Sequence, residues 1–493
     1  MPLSAESVHT IKTILDGATK EGPTGLNGLT FVAVDKDGKT LVEHASGTRG
    51  VNSQEPMDMD TSFWIASCTK IVATIAVLQL VEQGSVPLDD PEFVRKMAPE
   101  IGAKKVYADG VNGAEQQISV TMRMLLNHTA GFAYAFFDAR VNMRGRPVGI
   151  AGGFHSRRSA TPVLDRVVLT RLSPEFNGDE EDILNSPMVN QPGKSDPDHT
   201  RLAANKVPKI AGSMWEYGVN IDWAGIILER HTGQKLNDYI QEHIFQPLGI
   251  SDVTMFPTDN MRANLAHMHQ RDPATGALAE RDHLYRRPFH QTTKEQQQNF
   301  FHSAGAGLFA KPKEYIKVLA ALLNEGVGPT TGNRILKKET VDLMWENQIP
   351  TQPNFARAGL PAADPTLANS LPEMYPQSGT KPRGVQAGTE TPLTSLLSTQ
   401  VPLRFDHVAD FVCCTLGNPP QGWGLSMFLT LAPGDTGRGA NTGWWCGLSN
   451  IFWWVDREKG VAGILSGQIL PFGDPKVIQA WVGVEKAIYD GLE

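Results

Sequence analysis

Cysteine is scarce, and what there is makes no recognisable framework. Cys68, Cys413, Cys414 and Cys446 include no C-x-x-C spacing, and the adjacent pair Cys413-Cys414 cannot staple a fold. This usage suits a reducing compartment. No apolar run is long enough to cross a membrane. The stretch from Met1 to Lys20 is mixed and amphipathic and lacks the apolar core of a signal peptide. Tyr489 to Glu493 is no recognised address. The expectation is a cytoplasmic protein without a membrane partner. Positive charge is not in excess either: 45 Lys and Arg against 53 Asp and Glu leave a formal charge of -8, which argues against nucleic acid as a partner. No G-x-S-x-G occurs, so a nucleophile-elbow hydrolase is not expected. No internal repeat is visible. With 41% hydrophobic residues the composition is that of a globular chain with a large core or two.

Against that plain background one stretch stands out. Phe63-Trp64-Ile65-Ala66-Ser67-Cys68-Thr69-Lys70 runs into Ile71 to Gln83, where Ile71, Ile75, Leu78 and Glu82 keep a helical period. Gly84 then reads as a cap, with Pro87 soon after. Three residues apart on a helix, Ser67 and Lys70 share a face. A serine hydroxyl is a poor nucleophile until a base sits beside it, and the amine is placed to serve. Ser-x-x-Lys alone is a weak signal, and its plain alternative is an N-capping serine with a solvated lysine. A second copy, Ser378 to Lys381, lies in Pro/Gly-rich chain with Pro382 after it, where a helix is not expected.

Along the chain, Val8 to Leu15 reads as a helix. Leu29 to Val34 and Lys39 to Ala45 read as strands joined by Asp35-Lys36-Asp37-Gly38, a hairpin turn. Helices are expected at Val120 to Asn127, Trp215 to His231, Lys235 to Phe245, Lys313 to Asn324 and Lys338 to Trp345. Asn264 to His269 and Leu278 to Leu284 flank a turn. Gly422 to Leu431, Leu448 to Asp456 and Gly460 to Ser466 read as strands, and Lys476 to Tyr489 as the last helix. Arg140 to Pro208 is polar and irregular, a long insertion or lid with only Val163 to Leu172 helical; Pro350 to Thr399 is a second irregular stretch. The expected class is α+β: an antiparallel sheet flanked by helices, residues 1–75 and 300–493, with a second, mainly helical domain over 76–299 that carries the insertion near 140–210.

Two further stretches carry chemistry. Trp215-Glu216-Tyr217-Gly218-Val219-Asn220 places a tyrosine at the start of a helix; such a tyrosine is as readily core. Gly443-Trp444-Trp445-Cys446-Gly447-Leu448 is a glycine-bearing strand along which a substrate carbonyl could approach backbone N–H groups, or an aromatic hairpin. His267, His269, His283 and His290 raise a rival metallohydrolase reading, without an H-E-x-x-H to support it.

Taken together, Ser67-Cys68-Thr69-Lys70, Tyr217 and Trp445-Cys446-Gly447-Leu448 resemble the serine β-lactamase-like family: class C β-lactamases, penicillin-binding-protein-like esterases and fungal polyketide transesterases. Leu125 to Phe132, Ile221 to Gly225 and Ile244 to Gly249 match in order and spacing along nearly the whole chain, and Trp215 to Ala224 is closest to the transesterase branch. The resemblance implies an acyl-enzyme route with catalytic Ser67, Lys70 and Tyr217. Tyr217 would be the partner base, its phenol acidified by Lys70. It also implies an oxyanion hole from the N–H groups of Ser67 and Leu448, and substrate contacts from Trp445, Gly447, Phe132 and Tyr134. No cofactor or metal is implied. The implied partners are a small-molecule acyl donor, an ester or thioester with an acyl carrier among the options, and a small-molecule acceptor of secondary-metabolite type. Plain ester hydrolysis is the alternative, with β-lactamase or peptidase action ranked below it. Two departures separate the chain from the lactamases: Val219 stands where Tyr-x-Asn has asparagine, with Asn220 one later, and Trp445 stands where a Lys-Thr-Gly lysine would bind a substrate carboxylate, the alternative register making Asn441-Thr442-Gly443 a shifted remnant of that motif.

Overall fold

Both ends of the chain meet in one antiparallel sheet. The computed structural model describes residues 2–141, 174–193, 215–357, 362–368 and 420–493. Helix α1 (Ala5–Thr19) starts where Ser4 Oγ accepts the Ser7 N–H at 3.2 Å, satisfying a donor that a helix start leaves open. Strands β1 (Gly28–Asp35) and β2 (Thr40–Gly47) form the expected hairpin. Gly38, at φ 75°, donates its N–H to Asp35 O at 3.0 Å, a turn conformation that a side chain would strain. Helices α2 (Thr69–Glu82), α3 (Asn220–Thr232) and α4 (Pro312–Leu323) follow. The chain then runs through β3 (Gln421–Trp423), β4 (Phe428–Thr430), β5 (Thr442–Gly447), β6 (Ile451–Asp456) and β7 (Val461–Ser466) into α5 (Pro475–Asp490). The seven strands lie in the order β2-β1-β7-β6-β5-β4-β3. Phe31 of β1 therefore sits opposite Leu465 of β7.

Side chains alternate between the two faces of the sheet. Phe31, Ala33, Phe452, Trp454 and Leu465 pack against Ile11 and Leu15 of α1 and Trp481, Val484 and Ile488 of α5. Val32, Trp453, Val455 and Ile464 face the other way, onto Val318, Leu319 and Leu322 of α4, and that core continues into α2 and α3. Thr69 to Leu78 and Leu80 of α2 are all buried, so the helix is wrapped by protein on nearly every side. Among the described residues no helix is long and apolar enough to cross a membrane.

Some local expectations change. Gly422 to Leu431 is not one strand but the hairpin β3–β4, turned at Ser426 with φ 65°. The last stretch beginning at Leu448 joins β6 only at Ile451, because Leu448 to Asn450 form the turn out of β5. The helix expected from Trp215 begins at Asn220. Before it the backbone is held extended: Glu216 N donates to His128 O at 2.8 Å and Tyr134 N to Tyr217 O at 3.3 Å. Gly218 lies so close that an added Cβ would come within 2.3 Å of Phe132 O. The Val163 to Leu172 helix, the second Ser-x-x-Lys, Cys413-Cys414 and most of the two irregular stretches lie outside the described residues.

A buried ion pair ties α5 to the loop between β4 and β5. Arg438 Nε and Nη2 donate to Glu485 Oε1 and Oε2 at 2.5 and 2.6 Å. Removing one partner strands the other charge, so Arg438→Leu should lower the unfolding free energy by about 3–5 kcal/mol. The paired variant Arg438→Leu with Glu485→Leu should recover most of that loss in the same chemical denaturation measurement. Equal losses in the single and double variants would contradict this account.

Candidate active site

Ser67 stands at a pinned turn. Phe63-Trp64 pairs with Phe309-Ala310, and the chain then winds through a short 3-10 turn, Ala66–Cys68, into α2. Ala66 has φ 44°, a left-handed conformation that costs a residue with a side chain about 1–3 kcal/mol. The surroundings hold it there: Ile65 N donates to Leu308 O, Leu308 N to Thr69 Oγ1 and Cys68 N to Ile65 O, each at 3.0 Å. The result puts Ser67 partly open at the foot of a buried helix, with Lys70 fully buried behind it.

The Lys70 amine has three partners. Nζ donates to Ser67 Oγ at 3.0 Å, to Tyr134 OH at 2.9 Å and to Gly305 O at 2.8 Å. The solvated-lysine alternative is therefore excluded by burial. Loss of water pushes the amine down to about 7, against the pull of Asp222. The Tyr217 ring lies 4.7 Å from Nζ, and the Tyr217 hydroxyl accepts the Trp445 Nε1–H at 2.9 Å. Burial raises this phenol well above its usual range, while the Ser67 and Trp445 side chains pull it down. At neutral pH Tyr217 is thus a phenol, not the acidified group that the resemblance implies, and Lys70 is the group poised to exchange a proton.

Strand β5 closes the site from the sheet side. A Cβ on Gly447 would lie 2.6 Å from Ile65 O, so only a glycine lets the strand end reach the nucleophile turn. Ser449 Oγ then donates to Trp64 O at 3.2 Å. These two contacts bracket Leu448 against the Ser67 turn. Half-buried Trp445 stands over Tyr217, and Trp215, Trp423 and Phe355 build an aromatic wall behind it. Trp444 faces the opposite side of the sheet, onto Trp481.

Not every expected contact faces the site. Phe132 is fully buried with its ring 5.7 Å from Trp223, so its side chain is core and offers substrate no surface. Tyr134, expected to touch substrate, is 2% exposed and spends its hydroxyl on Lys70. Asn220 does not replace the missing Tyr-x-Asn residue: its Nδ2 is turned into the protein, toward His128 Nδ1, Phe132 O and Glu216 O, each at 3.0 Å. The histidines are apart in function: His267 pairs with Glu280, while His269 and His283 accept the N–H groups of Val51 and Tyr285. No group of three metal-ligating side chains exists among the described residues.

Two groups went unassigned in the sequence. Asp222, the one carboxylate in the first two turns of α3, is buried and accepts from Ser303 Oγ at 2.7 Å and Gly305 N at 2.9 Å. Gly305 supplies the carbonyl on Lys70. The available signals were an acid inside an apolar helical run and the glycine-rich approach from Ala304 to Gly307.

The chain is similar to known proteins along most of its length. The β-lactamase family model matches residues 19–400. Monacolin J acid methylbutanoyltransferase of Aspergillus terreus is 27% identical, covering 99% of this chain and 96% of its own. Lovastatin esterase of Penicillium rubens is also 27% identical, covering 89% and 88%. The unliganded structure of simvastatin synthase from Aspergillus terreus superposes with a TM-score of 0.66 at 25% identity, covering 99% of this chain and 98% of that one.

The Gly447 contact makes a sharp expectation. Gly447→Ala must push β5 away from Ile65 O and carry Leu448 with it. Losing one of two oxyanion donors lowers acylation by about 10²–10³-fold. The rate of Ser67 modification by an activated ester, measured by intact mass, should fall by that order, and the melting temperature should fall as well because the clash is with backbone. An unchanged rate would remove Leu448 from the site.

Proposed function

The chain belongs to the β-lactamase family, and on that footing we propose that it is a serine acyltransferase that moves an acyl group from an ester or thioester to a small-molecule hydroxyl. The observation that carries this reading is the hydrogen bond between Lys70 Nζ and Ser67 Oγ at 3.0 Å, with the amine fully buried and the Tyr217 ring 4.7 Å from it.

Ser67 Oγ attacks the acyl carbonyl. Its proton passes to Lys70 when that amine is neutral, either directly or along Tyr217. The developing oxyanion lies between the N–H groups of Ser67 and Leu448, in a place where fixed dipoles are worth far more than in water. Collapse expels the donor's alcohol or thiol, which takes a proton back from the Lys70–Tyr217 pair. The acceptor hydroxyl then repeats these steps in reverse on the acyl-enzyme. Trp445 brings an N–H and an aromatic face where a lactamase lysine would bring charge, so an acyl group with no carboxylate suits the site.

The names of the full-length relatives support transfer to a polyketide-like alcohol, and an acyl-carrier thioester is a donor of the same chemistry. Ester hydrolysis is the second reading, supported by a relative of equal identity named as an esterase. A cytoplasmic setting belongs to the same proposal, supported by the free, buried Cys68 and Cys446.

Partitioning separates the two readings. With an acyl thioester and rising concentrations of a bulky hydroxylated acceptor, ester product should grow at the expense of free acid. Free acid that is indifferent to every acceptor, with fast turnover of simple esters, would leave an esterase. Ser67→Ala should abolish covalent acylation in either case. The pH profile follows from Lys70: the neutral amine is the acceptor, so acylation should be slow below pH 6, reach half its plateau near pH 7 and level off above it. A profile flat from pH 5 to 9 would rule out Lys70 as the acceptor.

A further inference from the structure

We propose that Asp222, acting through Gly305, is a positioning residue that sets how readily Lys70 holds and releases its proton. This rests on the reading of Lys70 as the proton acceptor. The carboxylate reaches the amine across one residue. Asp222 Oδ1 accepts the Gly305 N–H at 2.9 Å, while the Gly305 carbonyl accepts the Lys70 Nζ–H at 2.8 Å. A Cβ on Gly305 would stand 2.4 Å from Asp222 Oδ2 and 2.9 Å from Tyr134 OH. Acid, phenol and amine therefore close around a position that admits no side chain.

No arginine or lysine forms an ion pair with Asp222 among the described residues, although it is 2% exposed. A carboxylate buried without a cation of its own is costly unless a nearby positive charge answers it. Burial raises the Asp222 carboxyl above the usual carboxylate range, and Lys70 is the charge that pulls it back down, together with the Gly305 and Ser303 donors.

Every other titratable group facing Lys70 is neutral near pH 7. Cys68 comes from its own turn, Cys446 from β5, Tyr134 and His128 from the segment before α3's approach, and Tyr217 from that approach. Burial raises the two thiols and two phenols and lowers the imidazole. Tyr285, behind Asp222, is likewise raised by burial, above all. Glu175, behind Tyr134, is turned to the Ala135 N–H at 2.6 Å. Asp222 is then the carboxylate to which Lys70 answers. Its charge favours the ammonium, burial favours the amine, and the balance keeps the group able to do both jobs in one cycle: accept a proton from Ser67, then return one to a leaving group.

The test reads Lys70 itself. The full-length protein is prepared with lysine enriched in carbon-13 at Cε, and the Lys70 signal is identified by its loss in Lys70→Met. Removing an opposing charge at this range lowers an amine's midpoint by about one pH unit or more. Asp222→Asn should therefore shift the Lys70 titration down by that amount, and the acid limb of the acylation profile should move with it. A purely structural role would lower the plateau and leave both midpoints in place, which overturns the proposal. Should Asp222→Asn not fold, Ser303→Ala strips one hydrogen bond from the carboxylate. A smaller downward movement supports the link, and no movement overturns it. If Ser67 takes no acyl group from any ester, the functional reading fails while the Lys70 titration still reports on Asp222. If acylation is normal and the midpoint is fixed, only this inference falls.

Discussion

An amine with no water around it must find every hydrogen-bond partner in the protein, and the Lys70 site depends on that demand. The ammonium has three N–H groups, and the structure answers them with one oxygen each from Ser67, Tyr134 and Gly305. Two of those are hydroxyls, able to reverse direction once a proton leaves. The third is a carbonyl, able only to accept. Gly305 thus fixes one N–H permanently and leaves the rest of the amine to turn between donor and acceptor. The buried helix, the strained turn at Ala66 and the glycine-rich loop from Ser303 to Leu308 can all be understood as means to that end.

The sheet side answers a different demand, which is to bring neutral donors to a place where charge will appear. Trp445 offers one N–H and no charge, and it spends that N–H on Tyr217 OH. Its ring is locked among Trp215, Trp423 and Tyr217, so the donor cannot wander. An indole cannot accept a hydrogen bond, so the Tyr217 oxygen can only accept at this contact and its own proton is left for another partner. The residue that removes lactamase-type charge recognition also orients the phenol.

Much of this was legible in the sequence, for physical reasons. The Asp35-Lys36-Asp37-Gly38 turn and the apolar period of α2 are local signals, and they appear where expected. Ser67, Lys70 and Tyr217 could be singled out because the serine and the amine stand three residues apart at the entry to α2 and the tyrosine keeps its neighbours. What failed was set by distant backbone. The Trp215 run has a helical period, yet Glu216 and Tyr217 are held extended by His128 and Tyr134, some 80 residues earlier. Phe132 looked like pocket because it sits in a matched motif, but tertiary packing turned it onto Trp223. Asp222 carried no local mark of its partner, since Gly305 arrives from another part of the chain.

The sheet order has a temporal side. Strand β1 finds its inner neighbour only in β7, and Thr30 pairs with Ser466 across most of the chain's length. Contacts so distant in sequence form slowly, because a long loop must close before they repay its entropy. On the ribosome the hairpin β1–β2 and the Ser67 turn emerge long before β5 does, so the serine and lysine exist for hundreds of residues with no Leu448 beside them and no Trp445 over Tyr217. A nascent chain is therefore an unarmed one. The site is completed last, by the same step that closes the sheet.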